Sequence, residues 1–321
     1  MSARIPPSFE PYGHGLHRPE CVLGTAGGDM FVPDWRGGVA VVRADGTQQA
    51  WLASEPGIEL RPNGIALDED GSFLVANLGD AGGIWRLARD GTLTPFLLEV
   101  DGIPLPPANY VTTDERGRTW ISVSTRLRPR QLAWRTDVAD GFVVLVDDRG
   151  ARIVADGLHY TNECRPDPTG DWLYVVETFG RRLTRFQIDG TNRLNNPETV
   201  ITFGHGTWPD GFAFDQQMGI WITSLVSNRL LRFDGAALAT LVEELDANHV
   251  NQVEEAFASG RMHAEHLGPI PGTRLQHVTS VGFGGADLRT VYIGCLHTDC
   301  IFRFRSNVPG VPPPHWNFRG S

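Results

Sequence analysis

The sequence predicts an all-β chain folded as one six-bladed β-propeller with four-stranded blades and a short helical insertion between blades five and six. Three observations carry that expectation. A unit of several short strands repeats along the chain, Asp-Gly turns fall at matched places in it, and the 321 residues include 37 glycines and 22 prolines. Periods of roughly 40–50 residues with several strands each read as propeller blades. Abundant glycine and proline, short of the content of a disordered chain, suits many tight turns.

Four segments align well, at 61–91, 107–125, 159–190 and 208–235, and a looser copy lies at 277–306. Each opens on a polar stretch bearing Asn or Asp, followed by alternation such as Gly64-Ile65-Ala66-Leu67-Asp68. A turn rich in Asp and Gly comes next (68–71, 114–117, 167–170), then an apolar strand (172–176, 220–223). A last strand joins an aromatic to an Arg: Trp85-Arg86, Arg185-Phe186, Arg232-Phe233, Arg303-Phe304. Alternation bounded by Asp-Gly turns is a hairpin signal. Residues 27–46 keep only the second half of the unit. They are expected to complete the blade begun at 277–306, so that the two ends of the chain seal the ring and no sheet edge stays open.

Residues 236–265 interrupt the pattern. Leu238, Leu241, Val242 and Leu245 recur at helical spacing, as do Val253, Phe257 and Met262 with one slip, which predicts a helical insertion. Residues 126–140 are too long for a turn and predict a loop over one face, with Arg126, Arg128 and Arg130 expected in solvent. Residues 307–321 form a proline-bearing tail, and residues 1–321 are read as a single domain.

A formal net charge of −10 excludes most nucleic-acid partners, which need clustered Lys and Arg. The first twenty residues lack the apolar core of a secretion signal, and no run approaches the ~18 apolar residues of a membrane span. A soluble, cytoplasmic protein that handles a small molecule is the expectation. The four cysteines, at 21, 164, 295 and 300, show no zinc spacing and read as reduced thiols.

The polar residues that open the units carry the chemistry. Asn63, Asn109, Asn162 and Asp210 occupy one phase of the repeat, and Glu20 lies at the same level one blade earlier. The starts of equivalent inner strands converge at one end of a propeller channel. Oxygen-bearing side chains crowded there need a counter-charge. A single divalent cation meets that need. Ca²⁺ or Mg²⁺ suits such oxygens, with Mn²⁺ or Zn²⁺ as alternatives. Asn63 sits in a Pro-Asn-Gly that reads equally as a turn.

These motifs resemble the SMP-30/gluconolactonase/LRE family, from about residue 18 to 305. Glu20 in Arg-Pro-Glu, Asn162 in Tyr-Thr-Asn-Glu and Asp210 in Trp-Pro-Asp-Gly match the family's metal ligands, and Asn109 matches a further Asn that binds metal or substrate. Val-Thr-Ser-Val-Gly-Phe-Gly-Gly-Ala-Asp-Leu at 278–288 is also typical. The resemblance implies a calcium-type, metal-dependent hydrolase of a lactone or ester, with the metal as Lewis acid and Asp210 as general base. Two positions depart from the family pattern. Pro107 stands where sugar lactonases carry an Arg, and Tyr110 follows Asn109 where Asp is usual. An apolar or aromatic substrate would suit Tyr110 and Trp208. Asn63, Asn109 and His277, which opens the last unit, complete the candidate substrate contacts. His159, Tyr160 and His205 flank the ligand segments as supporting residues. A biosynthetic cyclisation or carbon–carbon bond enzyme, and a non-catalytic binding propeller with a structural metal, are the competing classes.

Overall fold

The computed structural model describes residues 2–54 and 57–319. The last two residues of the predicted tail lie outside them. Six four-stranded antiparallel sheets follow one another along the chain. Blade one holds Leu23–Gly24, Met30–Asp34, Gly38–Val42 and Gln48–Leu52. Blade two holds Pro62–Leu67, Phe73–Asn77, Ile84–Leu87 and Leu93–Leu97. Blade three holds Tyr110–Thr113, Thr119–Val123, Gly141–Asp147 and Gly150–Leu158. Blade four holds Thr161–Pro166, Trp172–Glu177, Arg182–Ile188 and Leu194–Thr202. Blade five holds Trp208–Phe214, Ile220–Leu225, Arg229–Phe233 and Leu238–Leu245. Blade six holds Val278–Gly284, Thr290–Cys295 and Ile301–Arg305.

The first strand of each blade packs against the first strands of its neighbours, and blade six meets blade one, so a closed ring of inner strands forms. Apolar residues between adjacent sheets build the core, with Phe31, Phe73 and Trp120 almost fully buried. The aromatic-Arg pattern belongs to the third strand of blades two, four, five and six, not to the last strand. Its arginine reaches back to the Asp that ends the inner strand: Arg86 to Asp68, and Arg232 Nε to Asp215 Oδ2 at 2.7 Å. Asp215 also accepts from Trp221 Nε1 at 2.8 Å. In blades two and five the repeat thus carries a charge clamp across the hairpin, whereas Arg185 pairs with Glu198 and Arg303 with Glu10 on the outer strands.

The ring closes differently from the expectation. Residues 27–46 are not the missing half of blade six. With Leu23–Gly24 and Gln48–Leu52 they make a blade of their own. The outer strand of blade six is Glu10–Tyr12, where Glu10 pairs with Arg303 and Tyr12 with Ile301. Ser2–Arg4 adds a fifth strand to blade five. The strand was missed because three residues carry too little alternation to read.

The insertion is half the predicted size. Leu238–Leu245 is the outer strand of blade five, with Leu230 opposite Val242. Its leucines fall at helical spacing, but the open edge of a three-stranded sheet decides their conformation. The helix is Ala247–Ala258, capped by Asp246, whose carboxylate accepts from the Asn248 and His249 amides. Val250, Val253 and Phe257 bury its inner face. Residues 126–140 form the expected long loop, with a 3₁₀ turn at Arg130–Ala133. Loop and helix meet over one face of the ring around Trp134, Tyr160, Phe179, Trp208 and Phe257. The tail crosses the other face, where Gly310 pairs with Asp215 and Phe318 packs on Phe31. All four cysteines are unpaired, and among the described residues no helix is long and apolar enough to cross a membrane.

Candidate active site

The candidate site lies where the inner strands begin, beneath the loop and helix. In four blades the pairing of the inner strand slips there: between Pro62 and Ile65, Thr161 and Cys164, Pro209 and Phe212, and Val278 and Ser280. A bulge re-aims the side chain it carries. These four carry Asn63, Asn162, Asp210 and Thr279. Two residues before the matched position in blades one, four and six stand Arg18, Tyr160 and His277. All three adopt the left-handed region, with φ of 55°, 62° and 59°. Backbone strain of this kind concentrates at functional sites.

The glycine after Asp210 has a packing reason. A Cβ on Gly211 would lie 2.5 Å from the Thr279 carbonyl oxygen and 2.6 Å from Glu163 Oε1. Only glycine lets the inner strands of blades five and six approach this closely. The Pro-Asp-Gly motif therefore combines a ligand with the space its neighbours need.

The side chains at this level form one directed chain of hydrogen bonds. Arg130 Nη2 donates to Asn109 Oδ1 at 2.9 Å, Asn109 Nδ2 donates to Asn162 Oδ1 at 2.6 Å, and Asn162 Nδ2 donates to Asp210 Oδ1. Asn162 Nδ2 also reaches Thr178 Oγ1 at 3.2 Å. Arg18 Nη1 donates to Asn63 Oδ1 at 2.9 Å, and Asn63 Nδ2 donates to the Asn109 carbonyl at 2.8 Å. Glu20 Oε2 lies 2.5 Å from Arg18 Nη1, yet it is buried and makes no hydrogen bond of acceptable angle. Asn63, Asn109, Asn162, Asp210 and Glu20 are all buried.

Burial drives the Asp210 carboxyl well above the ordinary carboxylate range, and the charges of Glu20 and Glu163 push it further. Arg18 and Arg130 oppose that shift. Two carboxylates near one another in a dry site disfavour joint ionisation. One layer deeper, Glu163 accepts from the Phe212 amide at 3.1 Å and from Ser280 Oγ at 3.1 Å, and it pairs with Arg165.

Other predicted residues sit elsewhere. The Tyr110 ring lies in the core between blades, and its hydroxyl accepts from Arg165 Nη2 at 2.7 Å. Trp208 is buried, with the Arg181 guanidinium 4.2 Å above its ring and Phe257 edge-on at 6.0 Å. His277 is fully buried, accepts from the Val226 amide at Nδ1 (3.1 Å), and holds the Gly268 carbonyl at Nε2 (2.8 Å). Neither ring nitrogen of His277 is left for a substrate. Burial lowers its pKa to about 3, so it is neutral. His159 borders Glu177 and Arg182, and His205 is exposed.

Arg130 corrects the expectation of three solvated arginines. Arg126 pairs with Asp156 at the surface and Arg128 reaches the Asp80 carbonyl, but Arg130 turns inward and donates from Nε to the Tyr160 hydroxyl at 2.7 Å. Arg18, Arg130, Glu163 and Thr178 were not singled out from the sequence. Arg18 carried a signal, its place two residues before Glu20. Arg130 carried none, because loop sequence does not reveal which way a side chain turns.

The residues present fit a hard divalent cation. The donors are oxygens from two carboxylates and neighbouring amides, and one buried carboxylate oxygen lacks a hydrogen bond. Among the described residues no three His, Cys, Asp or Glu side chains are grouped to hold a metal, so amides must complete the set.

Known proteins place the chain. Residues 31–253 match the SMP-30/gluconolactonase/LRE-like region. The chain is 27% identical over 267 residues to a 6-deoxy-6-sulfogluconolactonase of Pseudomonas putida, covering 78% of each chain. Its fold resembles a gluconolactonase of Xanthomonas campestris, with a TM-score of 0.64 at 18% identity, covering 93% of this chain and 88% of that one. It also resembles a calcium-binding protein, regucalcin, of Agrobacterium tumefaciens, with a TM-score of 0.65 at 17% identity, covering 97% and 94%. With a profile match over most of its length and the same ring of blades, the chain belongs to the SMP-30/gluconolactonase/LRE-like family.

Proposed function

We propose that the chain hydrolyses a lactone or a similar ester in a metal-dependent reaction. The observation that carries this reading is the convergence of Glu20, Asn162 and Asp210 at one end of the channel, with a buried Glu20 oxygen that faces the Arg18 guanidinium but accepts no hydrogen bond. Glu20, Asn162 and Asp210 would hold the metal, with the Asn109 amide beside them. When bound, a divalent metal such as Ca²⁺ supplies Lewis-acid polarisation of the substrate carbonyl.

The protein's own groups do the rest. Asp210 takes the proton of the attacking water at a carboxylate oxygen. The chain of donors from Arg130 through Asn109 and Asn162 fixes the orientation of Asp210, so little reorganisation accompanies the proton transfer. The loop and helix limit water at this face.

The reading is tested by treating purified protein with EDTA, restoring Ca²⁺, Mg²⁺, Mn²⁺ or Zn²⁺ separately, and following hydrolysis of a panel of lactones and esters. Activity should vanish on chelation, with the circular dichroism unchanged, and return with a metal. Asp210→Asn should lower kcat by about 10² or more. An Asp210→Asn protein with wild-type kcat would overturn the role of the base.

A further inference from the structure

Of the substrate contacts expected from sequence, Tyr110 and His277 have their polar atoms committed to the fold, and Trp208 is buried under Arg181 and Phe257. Two further groups take their place at the site: the guanidiniums of Arg18 and of Arg130, the second of which also anchors the donor chain to Asp210.

Arg18 is built in rather than draped over. Its backbone is held in the left-handed region, and the Glu20 amide donates to its carbonyl at 2.8 Å. Its guanidinium lies 4.2 Å above the Trp35 ring, and the Trp35 indole is pinned by a 3.0 Å bond to the Pro62 carbonyl. Arg130 is clamped from the other side by Tyr160 and Asn109. Trp134 Nε1 fixes the same Tyr160 hydroxyl at 3.0 Å. The two guanidiniums meet one pair of side chains: Arg18 donates to Asn63 Oδ1, and Asn63 Nδ2 lies 3.4 Å from the Asn109 Oδ1 that accepts from Arg130.

Each cation keeps donors in reserve. Among the described residues, Nε and Nη2 of Arg18 and Nη1 of Arg130 have no hydrogen-bond partner, and none of the three is enclosed. Among the described residues the carboxylates at this level are those of Glu20 and Asp210, which would hold the metal. Once they do, the two guanidiniums have no protein counter-ion left. Uncompensated buried cations are strongly unfavourable, and a planar guanidinium favours an oxyanion that takes two hydrogen bonds.

We propose that the substrate is an anion: the lactone or ester carries a carboxylate, sulfonate or phosphate of its own, and Arg18 and Arg130 bind that oxyanion beside the carbonyl to be attacked. This rests on the hydrolase reading for the word substrate, but the anion site itself is testable without catalysis. It replaces the apolar substrate suggested by Tyr110 and Trp208. It also gives the missing Arg at Pro107 a substitute from two other places in the chain.

The test is calorimetric titration of Ca²⁺-loaded protein with glucarate and with gluconate, two hydroxy acids that differ by one carboxylate. Glucarate should bind at least tenfold tighter, with the difference shrinking as salt rises. Arg18→Gln and Arg130→Gln should each bring the ratio towards one, while Arg130→Lys should keep part of it. Equal binding by the wild type, or a ratio that survives both Gln substitutions in folded protein, would overturn the proposal. Hydrolysis of the corresponding lactones is measured in parallel. Binding selectivity without hydrolysis of either lactone would keep the anion site and remove the hydrolase reading.

Discussion

At the scale of single residues, the site is unfavourable to the fold that carries it. Asp210 is buried, its pKa is raised, and its neighbours Glu20 and Glu163 are acidic. A carboxyl whose folded pKa exceeds its unfolded value binds more protons when folded. Stability therefore falls as pH rises from about 3.8 through the folded pKa. In EDTA, the Asp210→Asn protein should melt at a higher temperature than wild type at pH 7 and should lose the further rise that Ca²⁺ gives wild type. Differential scanning calorimetry with and without Ca²⁺ reads both effects. His277 acts with the opposite sign. Its pKa drops from 6.5 to about 3 on folding, so its contribution is complete above pH 6.5 and is lost as pH falls towards 3. Denaturant titrations across that window should show a slope of up to about 1.4 kcal/mol per pH unit, absent in a folded His277→Gln protein.

At the scale of elements, what the sequence made legible followed from how strongly each segment's pattern reflects its surroundings. Inner and second strands are buried on both sides and read clearly, as at Phe73–Asn77. Outer strands such as Leu194–Thr202 are mostly exposed and carry almost no pattern. That is why Leu238–Leu245 read as helix and the blade-six strand Glu10–Tyr12 did not read at all. The ring of oxygens was legible because a repeat exposes the residue that keeps its phase, and the bulges that aim it lie at one phase too. Arg18 and Arg130 were not: Arg18 stands two residues before the position whose phase the repeat exposes, and Arg130 lies in a loop outside the repeat. The helix Ala247–Ala258 has a separable origin in its cap. Asp246→Ala removes the acceptor of two backbone amides and should destabilise the protein by about 1 kcal/mol. Hydrogen exchange confined to 246–258 would report that loosening, and a change spread over the blades would contradict a local role.

At the scale of the whole molecule, stability depends on contacts between the chain's two ends. Glu10–Tyr12 supplies the fourth strand of blade six. Phe9 stacks on Phe302 at 5.1 Å, and the Tyr12 hydroxyl donates to the Arg43 carbonyl at 2.7 Å, linking blade six to blade one. Removing residues 1–6 strips only the extra strand of blade five and should lower the melting temperature slightly. Removing residues 1–12 opens the ring and should leave little folded protein at 37 °C. Near-equal melting of the two truncated proteins would show that another contact closes the ring.

That same closure sets an order in time. Arg303 Nε meets Glu10 Oε1 across a separation of 293 residues. On a ribosome the strand that seals the ring is made long before the partner it pairs with. During synthesis the blades can form one by one, each resting on the edge of the one before. The end of the channel that gathers Glu20 from blade one with Asp210 from blade five acquires its shape only when the final blade arrives. A nascent chain therefore holds its potential ligands apart until blade six has been made, and any metal site there comes into being with the closed ring.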